Sequence, residues 1–165
     1  MNAALRLLSL CVLSLVTCVA SAQDTRTIVG TWKLVAYEDR PAQGPPVHPY
    51  GEKPRGILTY DAAGHMSIQI MKTPHPKVAS GDEEKVTPQE KIALYDAYVA
   101  YFGTYTVDNK RGVVVHHVEA DLYDVFIGTE QERRFELSGN RLTLQPTWTI
   151  EGKQWTGIRV FERAK

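Results

Sequence analysis

From Ile28 onward the chain is written in short segments that alternate apolar with polar residues, each closed by a turn. Period-two patterning fits strands with one buried face, and a long series of such strands restricts a chain to a sandwich or a barrel. TWKLVAYE puts Trp32, Leu34 and Ala36 on one face. GILTY, with Leu58 and Tyr60 together, is joined through Asp61 to Gly64 to HMSIQIMK, with Met66, Ile68 and Ile70 together, and the pair reads as a hairpin. GTYTVD, GVVVHHVEADL, TEQERRFEL, RLTLQP and GIRVFER then follow in quick succession, with turns such as DNKRG and SGN between them. Two stretches break the pattern as loops: Arg40 to Gly56, rich in proline and glycine, and the segment from Thr73 to Val86. There is no internal repeat.

One segment is helical. Thr87 is the N-cap, Pro88 the first helical residue, and Glu90 completes a capping box. Ile92, Tyr95, Val99 and Phe102 recur at helical spacing, which predicts a helix to Phe102 stopped by Gly103 and packed on the strands through its aromatic stripe. Many short strands and a single helix predict an all-β fold. The architecture expected is an antiparallel closed β-barrel of about eight strands, because closure removes the edge strands that an open sheet exposes. Trp32 supports closure: a large aromatic so near an end that would otherwise fray belongs there only if the first strand is tied into a closed structure.

The first residues read differently. Arg6 precedes an apolar run from Leu7 to Val19, and Ala20-Ser21-Ala22 has the small-x-small form of a cleavage site. Residues 1–22 are therefore expected to be a secretory signal peptide and residues 23–165 one domain. The run is short for a membrane anchor, and Thr17 argues against lipidation at Cys18. Both cysteines, Cys11 and Cys18, fall in this segment, so the 143 residues beyond it hold together by core burial without disulfides. An exported protein, periplasmic or secreted, is the expectation. Of the 19 basic residues only Arg6 is lost, leaving 18 against 19 acidic ones. Near-neutral charge and the lack of basic runs speak against nucleic-acid binding and against an anionic membrane surface.

Strand parity nominates interior groups. In EQERRFEL, Gln131, Arg133, Phe135 and Leu137 share the inward face, opposite Glu130, Glu132, Arg134 and Glu136. In VVVHHVEA, Val114, His116, Val118 and Ala120 form the more apolar face, and in GTYTV Tyr105 and Val107 point inward. An interior with Arg133, His116, Gln131, Tyr105 and Tyr60 is polar on an apolar lining. An arginine there needs a partner: a ligand carboxylate, phenolate or enolate, or else backbone carbonyls or an acid such as Glu162. His116 equally suits a hydrogen-bonded core position. His116 and His117 point to opposite faces, and His48, His65 and His75 lack a partner histidine at chelating spacing, so no metal site and no cofactor is expected. The Gly-x-Ser-x-Gly, phosphate-loop and His-Glu-x-x-His patterns are missing from the sequence.

Gly30-Thr31-Trp32 heading the first strand resembles the lipocalin and wider calycin signature. With PYGEKPRGILTYDAAGHMSIQI, YFGTYTVD, VVVHHVEADL, GTEQERRFEL, RLTLQP and the final FER, the chain from Ile28 to Arg163 is similar to the lipocalin-like domain family. The Leu122 to Gly128 loop departs from the proline- and asparagine-bearing turn of that family. The resemblance implies that Trp32 plugs the closed end of a barrel and that Arg163, from the last strand, stacks on it.

Two functions follow as expectations. The first is binding of a small hydrophobic or amphipathic ligand, expected to be acidic, inside the barrel. Met66, Ile68, Ile70, Phe135 and Leu137 would line the site and Arg133 would anchor the polar end, with His116, Gln131, Tyr105 and Tyr60 assisting. The second is a cofactor-independent isomerase, cyclase or dehydratase, a type of activity the calycin resemblance allows. There His116 would be a general acid or base titrating near neutral pH, and Arg133 and Tyr105 would stabilise an oxyanion. A filled barrel that binds a protein partner is the third possibility.

Overall fold

The computed structural model describes residues 27–165; the expected signal peptide lies outside the described residues. Nine strands follow in chain order: β1 (Gly30–Pro41), β2 (Arg55–Tyr60), β3 (His65–Met71), β4 (Tyr98–Asp108), β5 (Val113–Asp121), β6 (Glu130–Ser138), β7 (Arg141–Gln145), β8 (Thr147–Ile150) and β9 (Lys153–Arg163). Each pairs antiparallel with its neighbour in the order β1-β2-β3-β4-β5-β6-β7-β9, and β9 returns to β1 from Trp32↔Arg163 to Pro41↔Trp155. The ring is a closed eight-stranded barrel. The short β8 continues β7 past Pro146 and pairs with the first half of β9.

The expected seal is present. Trp32 is fully buried, its Nε1 donates to Ile28 O at 2.7 Å, and the Arg163 guanidinium lies 4.1 Å from its ring centroid. Arg163 also donates to Val29 O and Thr27 O, at 2.8 and 3.0 Å. Gly30 has φ +136°, and a Cβ there would meet Arg163 Nη1 at 2.5 Å. The glycine of the Gly-x-Trp signature therefore makes room for the guanidinium that covers the tryptophan.

Three features differ from expectation. The helix, α1, covers only Pro88–Asp96. Its Thr87–Glu90 capping box forms, but none of its residues is buried. Tyr98 to Thr104 instead form a ladder with Met71 to His65 of β3. The segment YVAYFGTYTV also alternates, and a paired strand burying Val99, Tyr101, Tyr105 and Val107 against the core outcompetes local helical spacing. Phe102 is consequently on the outer face, 54% exposed, and Val99 is inside. Second, a β-bulge between Leu34 and Ala36 adds one residue to β1 against β9. The inward row therefore continues through Tyr37 and Asp39 rather than Ala36. Third, TWTI and KQWT form a hairpin across a Glu151-Gly152 turn, where the sequence reading placed no strand.

The interior is uneven along the barrel axis. Near the Trp32 seal it is solid, filled by Leu58, Tyr60, Met66, Val114, Leu142 and Phe161. The other half is hollow.

Candidate functional site

The hollow half is a cavity of about 510 Å³. Its wall is built by Tyr37 and Asp39 of β1, Ile68 and Ile70 of β3, Val99 and Tyr101 of β4, Val118 and Asp121 of β5, Gln131 and Arg133 of β6, and Arg159 of β9. Tyr50 from the long loop, Tyr123 and Phe126 from the Leu122–Gly128 loop, and Trp148 of β8 add to it, and Leu144, Pro146, Thr147 and Phe161 close the rest. The Leu122–Gly128 loop thus supplies two aromatic walls. Its Val125, Phe126 and Ile127 are 69%, 43% and 44% exposed, an apolar rim at the mouth.

Of the nominated residues, Arg133 and Gln131 line the cavity together. Arg133 Nη1 donates to the Gln131 carbonyl at 2.8 Å and its Cζ lies 5.9 Å from the Tyr101 ring centroid. Gln131 Nε2 donates to Thr129 Oγ1 at 2.8 Å. Among the described residues Arg133 joins none of the ion pairs. Glu162, the acid considered for it, pairs instead with Arg141 at 3.7 Å, and both side chains are more than half exposed. Ile68 and Ile70 are lining residues as expected, whereas Met66 and Leu137 pack into the solid half.

His116, Tyr60, Tyr105 and Phe135 are not on the cavity wall. Tyr105 donates to Asp61 O at 2.7 Å, its ring 4.6 Å from that of Tyr60, and Phe135 packs on the core opposite Leu144. His116 is fully buried one layer below the cavity. Tyr60 Oη is 2.6 Å from its Nε2, and Tyr101 Oη is 2.9 Å from its Nδ1. Tyr101, whose ring lines the cavity, is thus pinned from beneath by the imidazole. A neutral histidine offers one donor and one acceptor, so the two hydroxyls satisfy it.

Burial, then the nearby Arg133 and His117 charges, hold the His116 pKa well below the ordinary histidine value. Buried off the cavity wall with a tyrosine hydroxyl at each ring nitrogen, the imidazole braces Tyr101 rather than facing a cargo. The sign of the pH effect follows. Below about pH 6.5 an unfolded histidine takes up a proton that folded His116 refuses. The contribution is complete above that pH and is lost as pH falls, by up to about 1.4 kcal/mol per pH unit. Denaturant titrations between about pH 7.5 and 5.5 should show a shallower acid decline in His116→Gln than in the parent; parallel slopes would show that His116 titrates equally in both states.

Sequence reasoning missed an arginine. Arg159 is only 8% exposed. Its Nη2 lies 2.6 Å from Asp39 Oδ1, an ion pair rather than an aligned hydrogen bond, and its Nη1 donates to Glu38 O at 2.6 Å. Its guanidinium rests 3.3 Å from the Tyr37 ring centroid and 5.9 Å from that of Trp148. The Trp148 and Trp155 rings stack at 6.3 Å and 12°. The alternation of TWTIEGKQWTG about its Glu-Gly turn was the signal that could have found this wall. Among the described residues no group of three or more His, Cys, Asp or Glu side chains could hold a metal ion.

A closed eight-stranded barrel, sealed by an arginine-covered tryptophan at one end and hollow at the other, defines a class. The family model described as "Lipocalin-like domain" matches residues 29–164, and the chain belongs to that family. It is similar to the 4'-hydroxy-3'-methoxypropiophenone carrier protein of Aspergillus oryzae, 33% identical over 85 residues that cover 48% of this chain and 77% of the relative. A crystal structure of a variant of the fluorescent protein UnaG aligns over 83% of this chain and 96% of its own, at 14% identity and a TM-score of 0.35.

Proposed function

We propose that this protein is a reversible carrier of a small, largely hydrophobic molecule that binds in the outer half of the barrel with an acceptor group on Arg133. The cavity carries the reading: about 510 Å³ is within the range of sites that enclose a small organic ligand, and its walls are aromatic and aliphatic with few polar groups. Tyr37, Tyr50, Tyr101, Tyr123, Phe126 and Trp148 offer ring faces and edges from several sides. That suits a flat aromatic body more than a flexible chain. The Arg133 guanidinium, outside any ion pair among the described residues, adds a fork for a carbonyl, phenolate or carboxylate. The fungal relative, named for carriage of a hydroxylated aryl ketone, supports the aromatic character of the cargo. Export through the N-terminal segment would make this carriage across an aqueous compartment.

Native mass spectrometry of the protein recovered from its own exported fraction tests this. One small molecule per chain, releasable into solvent, is the expected result. Arg133→Met should weaken its retention by about tenfold or more, the scale of one charge-assisted hydrogen bond. Recovery of an empty protein that also refuses aromatic probes would contradict the reading.

A further inference from the structure

Resting on that reading, the cavity's polar groups narrow the cargo further. Two charges on its wall are already matched, since Arg159 is paired with Asp39. Two are not. Arg133 joins no ion pair among the described residues. Asp121 Oδ2 is buried and accepts from no donor among the described residues. A buried carboxylate oxygen without a donor is costly; Oδ2 is closed off in the empty barrel, but Asp121 lines the wall, and a turn of its carboxylate would present that oxygen to a cargo that brings a donor. The two groups flank Tyr101. Asp121 is its cross-strand partner at the backbone end, and the Arg133 guanidinium stands beside its ring.

A carboxylate cargo would satisfy Arg133 but bring a further negative charge into a wall that already holds Asp39 and Asp121, of which only Asp39 is paired, disfavouring it in a low-dielectric pocket. A neutral aromatic cargo with a hydroxyl at one end and a carbonyl at the other satisfies both. We propose that Asp121 is a specificity-determining residue that accepts a hydrogen bond from a hydroxyl of the cargo while Arg133 donates to its carbonyl, so that the cavity selects neutral hydroxyaryl carbonyl compounds over carboxylic acids and over analogues lacking the hydroxyl.

Three probes of matched shape test the proposal: 4-hydroxybenzophenone, 4-methoxybenzophenone and 4-benzoylbenzoate. Their affinities are measured by calorimetry for the parent and for Asp121→Leu, with circular dichroism confirming that the variant keeps the parent fold. Asp121→Asn, which keeps an acceptor, is measured beside it. The hydroxyl compound should bind the parent at least about tenfold tighter than the other two, the scale of one hydrogen bond to a charged group. That preference should shrink to within about twofold in Asp121→Leu and survive in part in Asp121→Asn. Equal binding of the methoxy compound by the parent, tighter binding of the carboxylate, or a preference that persists in Asp121→Leu would overturn donor selection while leaving the carrier reading in place. Failure of all three probes to bind the parent would overturn this proposal; the carrier reading would then stand or fall on the native mass measurement.

Discussion

Arg159→Met is expected to destabilise the protein by about 3–5 kcal/mol, the usual cost of removing one member of a buried ion pair. The size comes from what remains. Asp39, with a side chain 15% exposed, keeps a charge whose close cation is gone. The Glu38 carbonyl loses its donor, and the Tyr37 ring loses the cation stacked on it. Adding Asp39→Asn to Arg159→Met should recover a substantial part of the loss, because the penalty lies in the stranded carboxylate more than in the missing attraction. Urea unfolding of the two single variants and the double variant measures this. A single variant within about 1 kcal/mol of the parent would mean the pair is effectively solvated. A double variant no more stable than Arg159→Met would place the loss in packing.

The second large effect is at the seal. Trp32→Ala removes a fully buried side chain that touches the solid half of the core and carries the guanidinium of Arg163. Burial loss and the cavity left behind cost about 3–5 kcal/mol for a large aromatic, and the cation–π contact adds to this. Arg163 would keep its bonds to Thr27 O and Val29 O but stand over an empty space. Trp32→Phe should lose much less, since a ring remains under the guanidinium. Chemical denaturation midpoints test the order of parent, Phe and Ala. Similar midpoints for all three would show that β1–β9 closure stands without the plug.

Much of this architecture was legible in the sequence because it depends on parity and caps. The inward placement of Arg133, Gln131 and His116 followed from two-residue alternation alone, and the pairing of Trp32 with Arg163 from the family resemblance. Depth along the barrel axis was not legible. Parity puts His116 and Arg133 on the same side of the sheet; the register sets His116 opposite Tyr105 and Arg133 opposite Val114, and only the three-dimensional packing brings the imidazole to the Tyr101 hydroxyl and the guanidinium beside the Tyr101 ring. Asp39 and Tyr37 were hidden by a single extra residue in β1, which reverses every parity assignment after Leu34. The helix was read too long because Ile92, Tyr95, Val99 and Phe102 fit the helical period while Val99, Tyr101, Tyr105 and Val107 fit the strand period over the same stretch, and the decision was made by β3, a partner far away in sequence. Arg159 sits beside a glycine that makes its burial possible: a Cβ on Gly157 would lie 2.8 Å from the guanidinium carbon. Nothing local in GIRVFER announces that fit.

The central claim is that the outer half of the barrel is an open binding site. It is tested most directly by filling it. Val99 lines the cavity on β4, half-buried and away from the Trp32 seal, so Val99→Trp should occupy the space with a side chain and leave the solid half untouched. Titration with N-phenyl-1-naphthylamine, a neutral aromatic probe that brightens in apolar surroundings, is the measurement. The parent is predicted to show saturable emission at one site per chain, and Val99→Trp, with an unchanged far-ultraviolet circular dichroism spectrum, to lose it. Equal emission from the two proteins, or none from the parent, would contradict the account.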